Sequence, residues 1–188
     1  MERTLLEPLT PDRTCLLVVD IQERLMPLIH GREAVLRNSI LLVKAAKIME
    51  MPVLATTQYV ARIGPFLPEL AIELTAVSAS DKLEFDCFHN SAFQRVLETL
   101  PATIDTCVVC GVETHICIYQ TMLGGLRAGY RMWVAADAVS ARANSNHEIG
   151  LGRISQVGGI AGSTEMIIYE LLRQAGTEKF KVILPFLK

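Results

Sequence analysis

The chain has 188 residues, 51% of them hydrophobic, and 18 Lys and Arg against 20 Asp and Glu give a formal net charge of −2. That length suits a single domain over residues 1–188, with residues 1–13 as an N-terminal extension. The near-balanced charge, without a basic cluster, excludes nucleic acid and anionic membrane surfaces as main partners, and no charge-free apolar run is long enough to span a bilayer.

The mean hydropathy of +0.33 is high for a globular chain. It leads us to expect a homo-oligomer, a dimer or larger, that buries apolar surface between copies; a large single core would account for part of it. The first residues mix Arg, Glu and Pro and lack the apolar segment of a signal peptide. Five cysteines, an odd count in a chain read as unsecreted, argue for free thiols in a reducing compartment, so a cytoplasmic location is expected.

In chain order, TCLLVV at Thr14–Val19 is a continuous apolar run ending at Asp20, followed by a helical pattern over 33–50. PVLATT at 52–57 is a second apolar run. Residues 62–79, with Pro65 and Pro68, read as a loop over one edge, and 77–82 as an extra strand or a loop. A short helix over 91–100 precedes a third run, DTCVVC at 105–110. A helix over 114–128 then closes at Gly129, and RMWVAA at 131–136 is a fourth run. Helices over 147–157 and 163–175 follow, with 182–187 as a closing strand or tail.

Continuous apolar runs suit parallel strands covered on both faces. Their alternation with helices predicts a three-layer, doubly wound α/β sandwich with a mostly parallel sheet of about five or six strands. Ligands in such sheets bind at the carboxyl ends of the strands, where Asp20, Lys82 and Cys117 are expected to meet.

Residues 108–117 read VVCGVETHIC. A strand that breaks at a glycine and feeds a helix offers unpaired N–H groups and the positive end of the helix dipole, so a thiol there is expected to ionise readily. Thiolate and N–H donors together are the nucleophile and oxyanion hole of acyl transfer. Each residue also has a plainer reading: Asp20 as a helix N-cap, Lys82 as a solvated charge, Cys117 as an inert core thiol. Cys107 and Cys110 form a CxxC, but residues three apart on a strand point to opposite faces, which argues against a redox or metal pair.

Three separated motifs carry a resemblance. They are Asp20-Ile21-Gln22 after an apolar strand; Lys82, Phe85 and Phe88 in a Lys-x-x-Phe-x-x-Phe pattern; and Cys110-Gly111-Val112-x-Thr114-x-x-Cys117. With the later segment ADAVS, the sequence resembles the isochorismatase-like cysteine hydrolases, most closely the isochorismatase-domain-containing branch. The resemblance implies Asp20, Lys82 and Cys117 as a catalytic triad. It also implies a cis peptide between Val112 and Glu113, and an oxyanion hole from the Glu113 and Cys117 backbone N–H groups. The expected activity is hydrolysis of a small amide-like or other carbonyl compound through a thioester. Gln22, Tyr59, Phe85 and His115 are candidate substrate contacts.

Two departures narrow this. Nicotinamidases of the superfamily hold a metal with Asp and His after the second strand, whereas TTQYVAR, Thr56 onward, has neither. His30, His89, His115 and His147 show no ligand spacing, so no metal and no cofactor is expected. Isochorismatases proper lack the nucleophilic cysteine, so Cys117 argues against that reaction. The competing readings are a non-catalytic scaffold of the same fold, a nucleotide-binding domain, for which no Gly-rich phosphate loop appears, and a thiol-redox protein.

Overall fold

The computed structural model describes residues 6–187, so residues 1–5 of the expected N-terminal extension lie outside the described part. The elements in order are β1 (Thr14–Val19), α1 (Arg32–Ile48), β2 (Val53–Gln58), α2 (Val60–Ile63), α3 (Pro68–Glu73), β3 (Ala79–Lys82) and α4 (Ser91–Glu98). Then come β4 (Thr106–Val112), α5 (Tyr119–Arg127), β5 (Arg131–Ser140), α6 (Asn144–Gln156), β6 (Ile160–Gly162), α7 (Thr164–Leu172) and α8 (Glu178–Ile183). The six strands pair in parallel in the order β3-β2-β1-β4-β5-β6.

The continuous apolar runs exist because both faces of the sheet are covered. Leu16 and Val18 of β1 enter one core, under α1, α3 and α7; Cys15, Leu17 and Val19 enter the other, under α4, α5 and α6. Period-two alternation thus sends neighbouring side chains into different cores that are equally dry. Cys107 and Cys110 fall on opposite faces, one in each core, and all five cysteines are free and buried.

Three of the helices, α4, α7 and α8, begin where the sequence supplies a side-chain cap. Asn90 accepts from Phe93 N, Ser163 from Met166 N and Thr177 from Phe180 N. The stretch read as a loop over 62–79 contains α3, which starts at Pro68, where a missing N–H costs nothing, and buries Leu70. Residues 182–186 are helical, a correction to the strand-or-tail expectation: the Thr177 cap starts α8, Ile183 is buried, and one 3-10 turn follows. β6 was not foreseen; three residues of Ile-Ala-Gly carry too little pattern. Among the described residues no helix is long and apolar enough to cross a membrane.

The sheet reverses direction of winding between β1 and β4, and such a switch point opens a crevice at the carboxyl ends of the strands. Gly111 lets the two strands close there. It lies in register with Val19 at φ +118, and a Cβ on it would fall 1.9 Å from the Val19 carbonyl oxygen.

Candidate active site

Asp20 leaves β1 with φ 55, a turn that Asp tolerates better than most residues, and its N–H donates to the Thr56 carbonyl at 3.1 Å. This turns a fully buried carboxylate across the end of the sheet. Its Oδ1 accepts from Thr56 Oγ1 at 2.8 Å, and its Oδ2 accepts from Lys82 Nζ at 2.6 Å. Lys82 ends β3, with its side chain 0% exposed. Its ammonium also donates to Gln58 Oε1, at the end of β2, at 2.6 Å. Cys117 Sγ lies 4.0 Å from that same oxygen. The three residues expected to meet therefore converge, and Asp20 is an ion-pair partner rather than a helix cap.

Burial works against the Lys82 charge, but Asp20, with Cys87 and Cys117 adding to it, outweighs this and raises the lysine pKa above its ordinary value. The thiol corrects the sequence reading. Burial first, then the Asp20 carboxylate, pushes the Cys117 pKa far up, and Lys82 does not offset them. The helical stretch begins at Thr114, as expected, but its first turn is of a different kind. Thr114–Ile118 forms a π-helical turn before α5 begins at Tyr119. The thiol thus sits against the Asp20–Lys82 ion pair with its pKa raised rather than lowered.

The Val112–Glu113 peptide is cis. The Glu113 side chain is buried and accepts from Arg142 N at 2.9 Å and from Arg142 Nε at 3.1 Å. Thr114 Oγ1 lies 2.9 Å from His147 Nδ1, and burial lowers the pKa of that imidazole. α6 packs directly on this turn: a Cβ at Gly150 would be 2.9 Å from Thr114 Cγ2.

The candidate substrate contacts divide. Tyr59 is 42% and Phe85 50% exposed, and both sit on the rim, where the Tyr59 N–H donates to the Lys82 carbonyl. His115 is half-buried, two residues from Cys117. Gln22 spends its amide on backbone partners. It is fully buried, and its amide donates to the Gln58 and Gly64 carbonyls and accepts from Gln58 N, because a polar side chain at that depth must satisfy every atom. Phe88 is likewise a core residue, 5.5 Å centroid to centroid from Phe93. Sequence reasoning missed Gln58 and Thr56, both of which touch the ion pair. The available signal was a polar Thr56-Thr57-Gln58 tail on an otherwise apolar strand. Among the described residues no group of three or more His, Cys, Asp or Glu could hold a metal ion.

The family model for the Isochorismatase domain matches residues 14–166. This chain belongs to the isochorismatase family. Among curated relatives of this isochorismatase-family chain is the secreted isochorismatase effector Isc1 of Phytophthora sojae, 33% identical over 96% of the chain and 87% of that protein. Isochorismatase domain-containing protein 2B of Mus musculus is 31% identical over 95% of the chain and 82% of that protein. Among solved structures, the MAR1 ribonuclease of Caenorhabditis elegans matches with TM-score 0.89 and 26% identity over 96% and 92% of the two chains. The YcaC gene product of Escherichia coli, described as an octameric hydrolase of unknown specificity, matches with TM-score 0.84 and 21% identity over 100% and 89%. The isochorismatase-like chain thus carries the hydrolase fold of its family.

The buried thiols of this family member make its stability pH-dependent. Burial pushes Cys87 and Cys110 up to about 12. Both are protonated in folded and unfolded chains at neutral pH. As pH rises above the ordinary thiol value near 8.5, only the unfolded chain releases the protons, so stability falls until the folded value is reached. By about pH 10 the loss is on the order of 1–2 kcal/mol per thiol. Thermal unfolding followed between neutral and alkaline pH is expected to show the midpoint dropping above about pH 9; an unchanged midpoint at pH 10 would contradict this.

Proposed function

We propose that the protein hydrolyses a small amide-like or other carbonyl substrate by covalent catalysis at Cys117. The observation that supports this most is the dry Asp20–Lys82 pair at 2.6 Å with a thiol against the same cluster. A buried ion pair contributes little net stability against an apolar replacement, so its retention beside a nucleophile points to chemistry.

The raised thiol pKa sets the order of events. Cys117 attacks the carbonyl carbon while its proton passes to the Asp20 carboxylate. The S–C bond forms, and the carbonyl π electrons move onto oxygen, held by the Glu113 and Cys117 N–H groups. Asp20 gives its proton to the leaving nitrogen as the C–N bond breaks, and a thioester remains. Water then attacks, Asp20 takes its proton, and the C–S bond breaks as the proton returns to sulfur. Lys82 holds the carboxylate in place and faces the negative charge that develops near sulfur and oxygen. Tyr59, Phe85 and His115 are the proposed substrate contacts.

The test is a panel of small amides and N-carbamoyl compounds, followed by amine release, wild type against Cys117→Ser. Cys117-dependent release of an amine is the expected result; release that survives the substitution would contradict the mechanism.

We further propose self-association. Leu83 (67%), Ile149 (64%) and Phe85 (50%) are exposed apolar side chains, and the E. coli YcaC protein is described as octameric. Sedimentation at micromolar concentration is expected to give a species larger than a monomer, and a monomer would contradict this. The five free thiols suit a cytoplasmic setting.

A further inference from the structure

Every polar atom of Gln58 is used. Its Oε1 faces inward, accepting from Lys82 Nζ at 2.6 Å and lying 4.0 Å from Cys117 Sγ. Its Nε2 donates to the Leu83 carbonyl at 2.9 Å. That network fixes the orientation of the carboxamide: turned over, it would set NH₂ against an ammonium and oxygen against a carbonyl. Its backbone is clamped as well. Gln22 Oε1 accepts from Gln58 N at 2.7 Å, Gln22 Nε2 donates to the Gln58 carbonyl at 3.2 Å, and the same Nε2 reaches the Gly64 carbonyl at 2.6 Å. The Gln22 side chain thus continues the β1–β2 pairing beyond the last strand residue of β1.

An ammonium has three donors. Asp20 and Gln58 take two of those on Lys82. During the reaction proposed above, Asp20 alternates between carboxylate and carboxylic acid, and a neutral acid holds a cation far less firmly. Gln58 stays neutral throughout, so its hydrogen bond to Lys82 is constant. We propose that Gln58 is the positioning residue of the triad: its carboxamide oxygen holds the Lys82 ammonium beside Cys117 while Asp20 carries the proton, and Gln22 is the strut that keeps Gln58 in place. This inference rests on the Asp20–Lys82–Cys117 reading and is separable from it.

The experiment is the rate of iodoacetamide alkylation of Cys117, read by intact-protein mass, with Cys117→Ser defining the share that belongs to Cys117. Wild type, Gln58→Met, Lys82→Met and the double variant are compared at about pH 8. Gln58→Met is expected to react about tenfold more slowly, with a thermal unfolding midpoint close to that of wild type, and the double variant no more slowly than Lys82→Met alone. Such non-additivity means that Gln58 acts through the lysine; a structural role would loosen the site and speed labelling. Alkylation of Gln58→Met at the wild-type rate or faster, or an equal slowing in both backgrounds, overturns the proposal. Should Gln58→Met fail to fold, Gln58→Glu carries the same cycle. It is expected to slow labelling more in the Lys82→Met background, where its charge meets no ammonium, and equal slowing in both overturns the proposal. If Cys117→Ser leaves labelling unchanged, the triad reading fails, and this inference with it. If only the Gln58 variants behave as wild type, the triad reading stands alone.

Discussion

Cys117→Ala is expected to lower turnover by a factor on the order of 10⁴ or more while leaving the fold intact. The size of the effect follows from what Asp20 can and cannot do. Without sulfur there is no atom to form the acyl intermediate, and Asp20, held by Thr56 and Lys82, has no thiol proton to take. What remains is binding and the oxyanion donors. Structurally the change removes one sulfur atom from a side chain that is 6% exposed, a cost of about 1 kcal/mol. The variant should therefore still bind substrate and unfold near the wild-type midpoint. Amine release by purified Cys117→Ala within tenfold of wild type would count against covalent catalysis.

Gly111→Ala is expected to be the most destabilising single methyl that can be added near the site. The new Cβ would lie 1.9 Å from the Val19 carbonyl oxygen and 2.8 Å from its carbon. Both are backbone atoms of the neighbouring strand, at the last β1–β4 register pair, so no rotamer change relieves the clash. The φ of +118 adds strain of its own, since a Cβ disfavours that region. A loss of at least about 4 kcal/mol is expected, about 8–16 °C in thermal midpoint for a chain of this size. Asp20 follows Val19 directly, so any shift that makes room also moves the carboxylate relative to Cys117. Gly152→Ala is the matched control. No atom lies within 4 Å of its Cβ position in the interior of α6, and a gain of up to about 1 kcal/mol is expected there. Equal midpoints for the two variants in differential scanning calorimetry would contradict the close-approach argument.

The parts of the molecule that were legible in the sequence are those where one physical cause dominates. Both-face burial makes β1 and β4 uniformly apolar, so the parallel sheet could be read directly, and with it the rim on which Asp20 and Cys117 stand. Lys82 was legible as a motif residue, but its strand was ambiguous: the exposed–buried alternation of β3, an edge strand of four residues, leaves little apolar signal. The thiol's ionisation was misread because helix position and a nearby lysine were weighed without burial, which depends on the whole fold. Gln58 was missed, and the bracing role of Gln22 with it, for the same reason. Local sequence shows a polar residue near the rim, but only the three-dimensional network shows which polar atoms are already spent. The helical C-terminus was obscured by an apolar composition at 182–187 that fits either secondary structure.

The claim at the centre of this account is that Cys117 is neutral at rest and surrenders its proton to Asp20 only as it attacks. It is tested most directly by the pH dependence of iodoacetamide alkylation, wild type against Asp20→Asn, with Cys117→Ser identifying the labelled site. If Asp20 takes the proton as the S–C bond forms, wild type should label at Cys117, the most exposed of the five thiols, at a rate nearly independent of pH between about pH 6 and pH 9. Asp20→Asn should instead be slow near neutrality and climb steeply with pH, because the thiolate must form beforehand. Parallel profiles rising tenfold per pH unit in both proteins, or labelling that persists in Cys117→Ser, would contradict the account.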